Sequence, residues 1–193
     1  MQVELKLSLV ALIWVAYYFL HSFLASTKCK EAGRSRLGKN YRILYNLWAS
    51  VSLLLASWAT LRFESQMLWQ NNIMVKLGIG TWMVMSILIG LFALRGYDLG
   101  EFSGLGEAEE KDLPLQTKGL NALVRHPLYS AIFCFLLGLG IYHPTDTLWV
   151  TIGVSIGYLY WGSWLEEKKL LQRYGEAYQK YCAQVNRFFP KIL

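Results

Sequence analysis

Five long apolar stretches constrain this 193-residue chain more than any other feature of its sequence. They lie at residues 5–24, 43–61, 73–94, 128–142 and 148–165, and the fourth span is predicted to start earlier and to cover residues 124–142. A helix needs about 20 mostly apolar residues to cross a bilayer, and about 17 can suffice. The first three stretches meet this length, the fifth is marginal, and the fourth is short unless its helix starts near Leu123. The sequence therefore predicts an all-α, polytopic membrane protein with about five spans.

Composition supports the same class of protein. The chain is 54% hydrophobic and only 17% charged, which is less charge than a soluble domain of this length carries. The first stretch is too long, and its amino-terminal flank too poor in Lys and Arg, for a cleaved signal peptide. We therefore expect residues 1–193 to form a single integral membrane domain.

Basic residues predict the orientation of that domain. All but three of the 19 Lys and Arg residues lie after the first stretch, after the third, or in the tail; the exceptions are Lys6, Arg62 and Lys76. The positive-inside rule puts these segments in the cytosol and the amino terminus outside. The membrane would be the plasma membrane of a prokaryote or the endoplasmic reticulum of a eukaryote. Because the cations lie between apolar runs, we expect membrane lipids as partners rather than nucleic acid, and infer no obligate protein partner.

Two long polar segments would then face the cytosol. Residues 95–127 contain five glycines and six acidic residues, and we expect this loop to fold over a ligand; the alternative is a flexible acidic linker. In the tail, residues 166–193, apolar side chains recur at helical spacing, which predicts an amphipathic helix bent at Gly175.

The triplet Arg125-His126-Pro127 stands where the polar loop meets the fourth apolar stretch. Proline suits the first turn of a helix, so the sequence places Arg125 and His126 at a helix amino terminus, where backbone N–H groups favour an anion. Arg125 would add a bidentate clamp for a carboxylate or phosphate. The alternative is an arginine that reaches toward lipid headgroups and a histidine that only caps the helix.

Two carboxylates, Glu166 and Glu167, follow the last apolar stretch without a spacer. Acidic residues at the edge of a span are costly unless they are paired. Glu166 would serve a ribose hydroxyl, an ammonium group or Arg125, whereas Glu167 has only leucines at the spacings where a local ion pair forms. This favours a non-local role over a solvated helix face.

Metal and phosphate-loop chemistry lack support in the sequence. The three cysteines and three histidines are scattered without a ligand spacing, so no metal site is predicted. The glycine-rich nucleotide loops and the nucleophile elbow are also missing.

The segments TKGLNALVRHPLYSA (117–131) and EEKKLLQRYGEAYQKYCAQVNRFFP (166–190) resemble the isoprenylcysteine carboxyl methyltransferases, specifically their short prokaryotic and archaeal members. The resemblance implies S-adenosylmethionine as methyl donor, S-adenosylhomocysteine as product, and a lipid-linked carboxylate entering from the bilayer as acceptor. It implies a cofactor site formed by Leu113, Pro114, Leu115, Gln116, Asn121, His126, Pro127, Leu128, Tyr129, Glu166 and Glu167. Catalytic roles would fall to Arg125, Glu166 and Arg173.

Two positions depart from the family pattern. Asn121 replaces a tyrosine, and Gly162 replaces an arginine that is assigned to substrate binding in some animal members. Either Arg173 holds the substrate carboxylate instead, or the substrate differs. Three alternatives stay open: an NADPH-dependent reductase of the sterol type, a phospholipid N-methyltransferase, and a membrane scaffold without enzymatic activity.

Overall fold

The computed structural model describes residues 2–38, 40–96 and 114–191, and within these ranges the chain is helical without a β-strand. The prediction of an all-α fold is therefore confirmed for the described residues. The helices are α1 (Gln2–Ala25), α2 (Thr27–Leu37), α3 (Asn40–Leu61), α4 (Ile73–Leu94), α5 (Pro127–Tyr142), α6 (Asp146–Tyr174) and α7 (Glu176–Gln184), with a short 3-10 turn at Gly119–Ala122.

Three helices, α1, α3 and α4, are long and apolar enough to cross a membrane. They expose large apolar side chains such as Leu12, Leu54 and Leu91, a surface that is unfavourable in water and suited to lipid. Helix α5 is apolar but has only 16 residues. The structure thus supports an integral membrane protein with three of the five predicted spans.

Helix α5 begins later than the predicted start at residue 124. Pro127 is its first residue, and His126 precedes it with φ −125° and ψ 70°, outside the helical region. A proline disfavours helical backbone in the residue before it, and Arg125 instead donates its backbone N–H to the carbonyl of Asn186. The helix thus begins three residues after the approximate start of the predicted span, with Pro127 in its first turn as the sequence indicated.

Helix α6 is longer than the predicted fifth span of residues 148–165. It continues through both glutamates to Tyr174, so the first nine residues of the predicted tail extend this helix. Gly175 then takes φ +52°, a conformation that favours glycine, and α7 follows with Tyr178 and Tyr181 buried. The predicted bend at Gly175 is confirmed.

One compact unit comprises residues 2–69 and 144–155 of the described chain. In it α1, α2 and α3 pack together, and Trp14 donates to the hydroxyl of Thr60 (3.0 Å). Lys6 forms a partly buried ion pair with Asp146 (2.6 Å). Helix α2 has no counterpart in the sequence prediction, because a charged segment without apolar periodicity gives no helix signal.

The other unit comprises residues 70–96, 114–143 and 156–191. Its centre is the packing of α4 on α5, which small residues permit. A Cβ on Gly138 would lie 2.7 Å from Met83, and Trp82 donates its indole N–H to the carbonyl of Cys134 (2.9 Å). This unit contains both motifs described above, the triplet before α5 and the glutamate pair on α6.

Candidate functional site

Glu167 is the centre of a cluster of charged side chains. Arg125 donates to its Oε1 from Nε (2.8 Å) and lies 2.7 Å away through Nη2. His126 approaches the same oxygen through Nε2 at 3.2 Å, and Arg187 donates to the other oxygen, Oε2. Each of these partners is distant in sequence, as the lack of a local partner for Glu167 indicated.

The electrostatics of the cluster stabilise the ionised form of Glu167, whose side chain is only 12% exposed. Burial alone raises the pKa of this carboxyl, but the hydrogen bonds from His126, Arg187 and Arg125 outweigh it and lower the pKa to about 2. The pKa of Arg125 is raised: burial opposes this, and the bond to Glu167 overcomes it. Both groups therefore stay charged throughout the physiological pH range.

Arg125 also joins the segment before α5 to the end of α7. Its Nη1 donates to the carbonyls of Cys182 (3.3 Å) and Val185 (2.5 Å), and so caps α7 in the way that basic side chains cap helix carboxyl termini. The backbone N–H of His126 donates to the carbonyl of Arg187 (3.1 Å). The carboxylate that Arg125 clamps in the structure is thus that of Glu167.

Glu166 differs sharply from its neighbour. Its side chain is 38% exposed, and its Oε2 lies 3.7 Å from Nδ1 of His126, too far for a hydrogen bond. Since one residue corresponds to 100° of rotation about a helix, α6 directs Glu167 into the cluster and Glu166 toward its edge. Two adjacent carboxylates therefore occupy different environments: Glu167 is buried among cationic partners, and Glu166 is partly exposed.

An apolar cavity of about 520 Å³ is lined by Pro127, the residue that follows His126. Phe188 also lines it, and the ring of Phe188 lies 6.1 Å from the ring of His126. Side chains of α4 and α5, including Trp82, Ile89 and Leu137, form much of the remaining wall, and residues just before α5 and after Phe188 complete it. The charged edge at Glu166 and a space for an apolar group are thus neighbours in one unit.

Three other predicted site residues, Tyr129, Asn121 and Leu128, make different contacts within this unit. Tyr129 packs its ring edge-on against His126, with ring centres 5.5 Å apart, and its hydroxyl faces Gly162, the position where some family members have arginine. Asn121 donates to the carbonyl of Arg125 (3.2 Å) and accepts at its own carbonyl from Tyr181 (2.6 Å). Leu128 points toward Gly90 on α4.

The remaining predicted site residues are 113–116 and Arg173. Pro114 and Gln116 are exposed and Leu115 is half-buried in the segment before the 3-10 turn, whereas Leu113 and most of the predicted covering loop (residues 97–113) lie outside the described residues. Arg173 is exposed near the end of α6, with its guanidinium 5.4 Å from the ring centre of Tyr174. It lies seven residues after Glu166, hence on the same face of α6 about two turns further on.

Sequence reasoning missed the importance of Arg187 and Ser130. Arg187 completes the ion cluster, and Ser130 donates to the carbonyl of Phe188 (2.7 Å), which holds the segment after α7 against α5. Arg187 stands within the motif that carried the family resemblance, so that motif was the available signal. Ser130 had none, because a serine near a helix start has too many ordinary uses.

These features define a helical membrane protein with a charged site at the end of an apolar helix pair. The chain belongs to the NnrU family: the family model described as NnrU protein matches residues 7–181. No solved structure matches the chain.

Among its relatives are proteins with three different names. The chloroplastic 15-cis-zeta-carotene isomerase of Zea mays is 27% identical over 87% of this chain and 45% of its own length. The methanethiol S-methyltransferase of Pseudomonas deceptionensis is 28% identical over 60% of this chain and 43% of its own. The nickel-cobalt-cadmium resistance protein NccN of Alcaligenes xylosoxydans xylosoxydans is 26% identical over 58% and 54%. The chain spans about half the length of the curated relatives it matches.

Proposed function

We propose that this protein is a membrane methyltransferase that transfers the methyl group of S-adenosylmethionine to an acceptor carried on an apolar, lipid-like group. The observation that carries the proposal is the half-exposed carboxylate of Glu166 at the edge of the ion cluster, next to an apolar cavity of about 520 Å³. The similarity to a named methyltransferase and the two sequence motifs support the same class of reaction.

The residues at this edge suit the chemistry of the cofactor. When bound, S-adenosylmethionine supplies a methyl group made electrophilic by its sulfonium, and it carries an ammonium group and ribose hydroxyls. Glu166 would accept hydrogen bonds from one of these groups, and His126 and Tyr129 would form the wall beside it. Residues 113–116 and Asn121 would also contact the cofactor.

The rest of the cluster positions these residues rather than reacting. Arg125 and Arg187 are held by Glu167, so neither guanidinium is directed at the acceptor. Alignment of acceptor and methyl group, with water excluded, can contribute about 7–11 kcal/mol to lowering a barrier. A carboxylate acceptor needs no general base, whereas a thiol acceptor must first lose its proton.

The acceptor atom has two candidates. A carboxylate of the isoprenylcysteine type follows from the motifs, and Arg173 would then be the cation that holds it in place of the arginine missing at Gly162. A thiol follows from the name of the Pseudomonas relative, and it suits a cavity whose described lining contains no basic side chain. In either case the proposed orientation has the carboxyl terminus and the site in the cytosol.

The test is calorimetric binding of S-adenosylmethionine and S-adenosylhomocysteine to the detergent-purified chain, with Glu166→Gln as variant and Glu176→Gln, an exposed carboxylate on α7, as matched control. Loss of a charge-assisted hydrogen bond of about 1.5–3 kcal/mol should weaken binding about 10- to 100-fold in Glu166→Gln only. Equal affinity in wild type and Glu166→Gln would contradict the proposed site.

Methyl transfer to two probes then identifies the acceptor. With N-acetyl-S-farnesylcysteine the expected product is a methyl ester that alkali hydrolyses, whereas decanethiol would yield a thioether stable to alkali. If the protein binds the cofactor but methylates neither probe, an apolar carboxylate or thiol is refuted as acceptor.

A second candidate function is isomerisation of an apolar polyene. Similarity to the maize isomerase over 87% of this chain supports it, and the apolar cavity is compatible with such a substrate. Absence of binding to both S-adenosyl compounds by intact, monodisperse protein would favour this function over methyl transfer.

A further inference from the structure

A second cavity, of about 550 Å³, lies in the unit that contains α1, α2 and α3. This volume is in the range of about 300–1,000 Å³ that small organic ligands occupy. The residues around it come from the end of α1, from α2 and from the first half of α3: His21, Ala25, Lys30, Arg34, Tyr41, Arg42, Tyr45, Asn46, Ala49 and Ser50. No reaction proposed above uses any of them.

Three cations face this cavity, and none of its described lining residues is acidic. Lys30 and Arg34 are four residues apart and therefore share one face of α2, while Arg42 faces them from α3. Arg42 is half-buried. An anion in this partly enclosed space would be attracted by all three cations.

Close packing fixes the walls of the cavity. A Cβ on Gly33 would lie 2.1 Å from the ring of Tyr41, so only glycine lets α2 rest on that ring. Tyr41 in turn donates its hydroxyl to the carbonyl of Leu24 at the end of α1 (2.7 Å). The cations on α2 and α3 are thereby held on opposite sides of one space.

We propose that this cavity binds the phosphate group of an anionic organic ligand, with Arg42 as the principal contact and Lys30 and Arg34 completing the charge. A guanidinium presents paired donors that match phosphate oxygens, and a lysine adds a point charge. The cavity exceeds what a bare phosphate needs, and aromatic, polar and small side chains line its remainder. Since the helices α1 and α3 are candidate spans, the phosphate belongs either to a lipid headgroup or to a soluble ester.

The experiment titrates the full detergent-purified chain with dihexanoyl phosphatidic acid, with dihexanoyl phosphatidylcholine and with inorganic phosphate, and follows binding by calorimetry. Arg42→Gln is the test variant and Arg42→Lys keeps its charge. Arg36→Gln is the matched control, because Arg36 is exposed on α2, the helix of Lys30 and Arg34, but does not line the cavity. Circular dichroism and size-exclusion profiles confirm that each variant is folded.

We expect Arg42→Gln to weaken the binding of phosphatidic acid at least tenfold, Arg42→Lys to lose less, and Arg36→Gln to bind like wild type. Binding of phosphatidic acid without inorganic phosphate identifies a lipid headgroup as the source, and binding of both identifies a soluble phosphate ester. Two results would overturn the proposal: no binding of either anion, or an equal loss in Arg36→Gln and Arg42→Gln, which would indicate surface attraction only. Should Arg42→Gln not fold, Lys30→Gln with Arg34→Gln takes its place under the same criteria.

Discussion

Glu167→Gln should destabilise the protein far more than the same change at its neighbour, Glu166→Gln. The substitution keeps the shape of the side chain and removes its charge. Arg125 and Arg187, which are 11% and 21% exposed, would then face each other without a carboxylate between them. Breaking a buried ion pair by removing one partner costs about 3–5 kcal/mol.

The pKa of Glu167 gives an independent magnitude. A folded-state pKa of about 2, against the ordinary value of 4.5, corresponds to about 3 kcal/mol of stability. Because the pKa is lowered on folding, this stability is fully present above pH 4.5 and is lost as the pH falls toward 2. Glu166 is 38% exposed, so its removal should cost less than about 1 kcal/mol.

Thermal unfolding in detergent, followed by tryptophan fluorescence, measures the difference. For a chain of this size, about 3 kcal/mol corresponds to a fall in Tm of roughly 6–12 °C, which is expected for Glu167→Gln at pH 7 and should shrink as the pH approaches 3. Equal shifts in the two variants, or a shift in Glu167→Gln that does not change with pH, would refute the reasoning.

Three further substitutions test the fold. Gly33→Ala should dislodge α2 and lower Tm, since its Cβ would overlap the ring of Tyr41, whereas Gly78→Ala, which meets nothing within 4 Å, should leave Tm unchanged or slightly raised; equal effects would contradict the close packing. Gly175→Ala should cost about 1–3 kcal/mol in the same assay, because φ +52° with ψ −126° is a glycine conformation, and wild-type stability would show that the backbone adapts. Asp146→Asn should lower the free energy of unfolding by about 3 kcal/mol, because it removes the partner of Lys6. The double variant Lys6→Met/Asp146→Asn should recover part of this loss. No recovery would mean that the hydrogen bonds from Gln66 and Thr147 to Asp146 dominate.

The apolar stretches of the sequence predicted the long helices. They did not predict the features that depend on charged side chains and on backbone hydrogen bonds. Helices α1, α3 and α4 follow from length and composition alone, because lipid requires nothing more of a spanning helix. Helix α2 did not, since its eleven residues are mostly polar and are held by tertiary contact with Tyr41. Helix α5 begins after the approximate predicted start because Arg125 pairs through its backbone with Asn186, a partner 61 residues away that no local pattern reveals.

The sequence prediction named residues that meet in the structure, but it did not predict which of them contact each other. Arg125, His126, Glu166 and Glu167 were all chosen, and the structure brings them together. The sequence offered no means of knowing which glutamate Arg125 meets, because that depends on the rotation of α6 about its axis. Arg187 was overlooked as a site residue because its partner is 20 residues away, beyond the reach of helical spacing rules.

The short parallel pairing of residues 124–126 with 186–187 has a consequence for local unfolding. Two backbone hydrogen bonds, from Arg125 and His126, are too few to hold two segments together by themselves, so Glu167 keeps them paired by holding a side chain from each. The two segments should therefore open as one cooperative unit rather than fray separately. Amide hydrogen exchange at Arg125 and His126 would then report a single opening equilibrium, whose free energy depends on one carboxylate of α6.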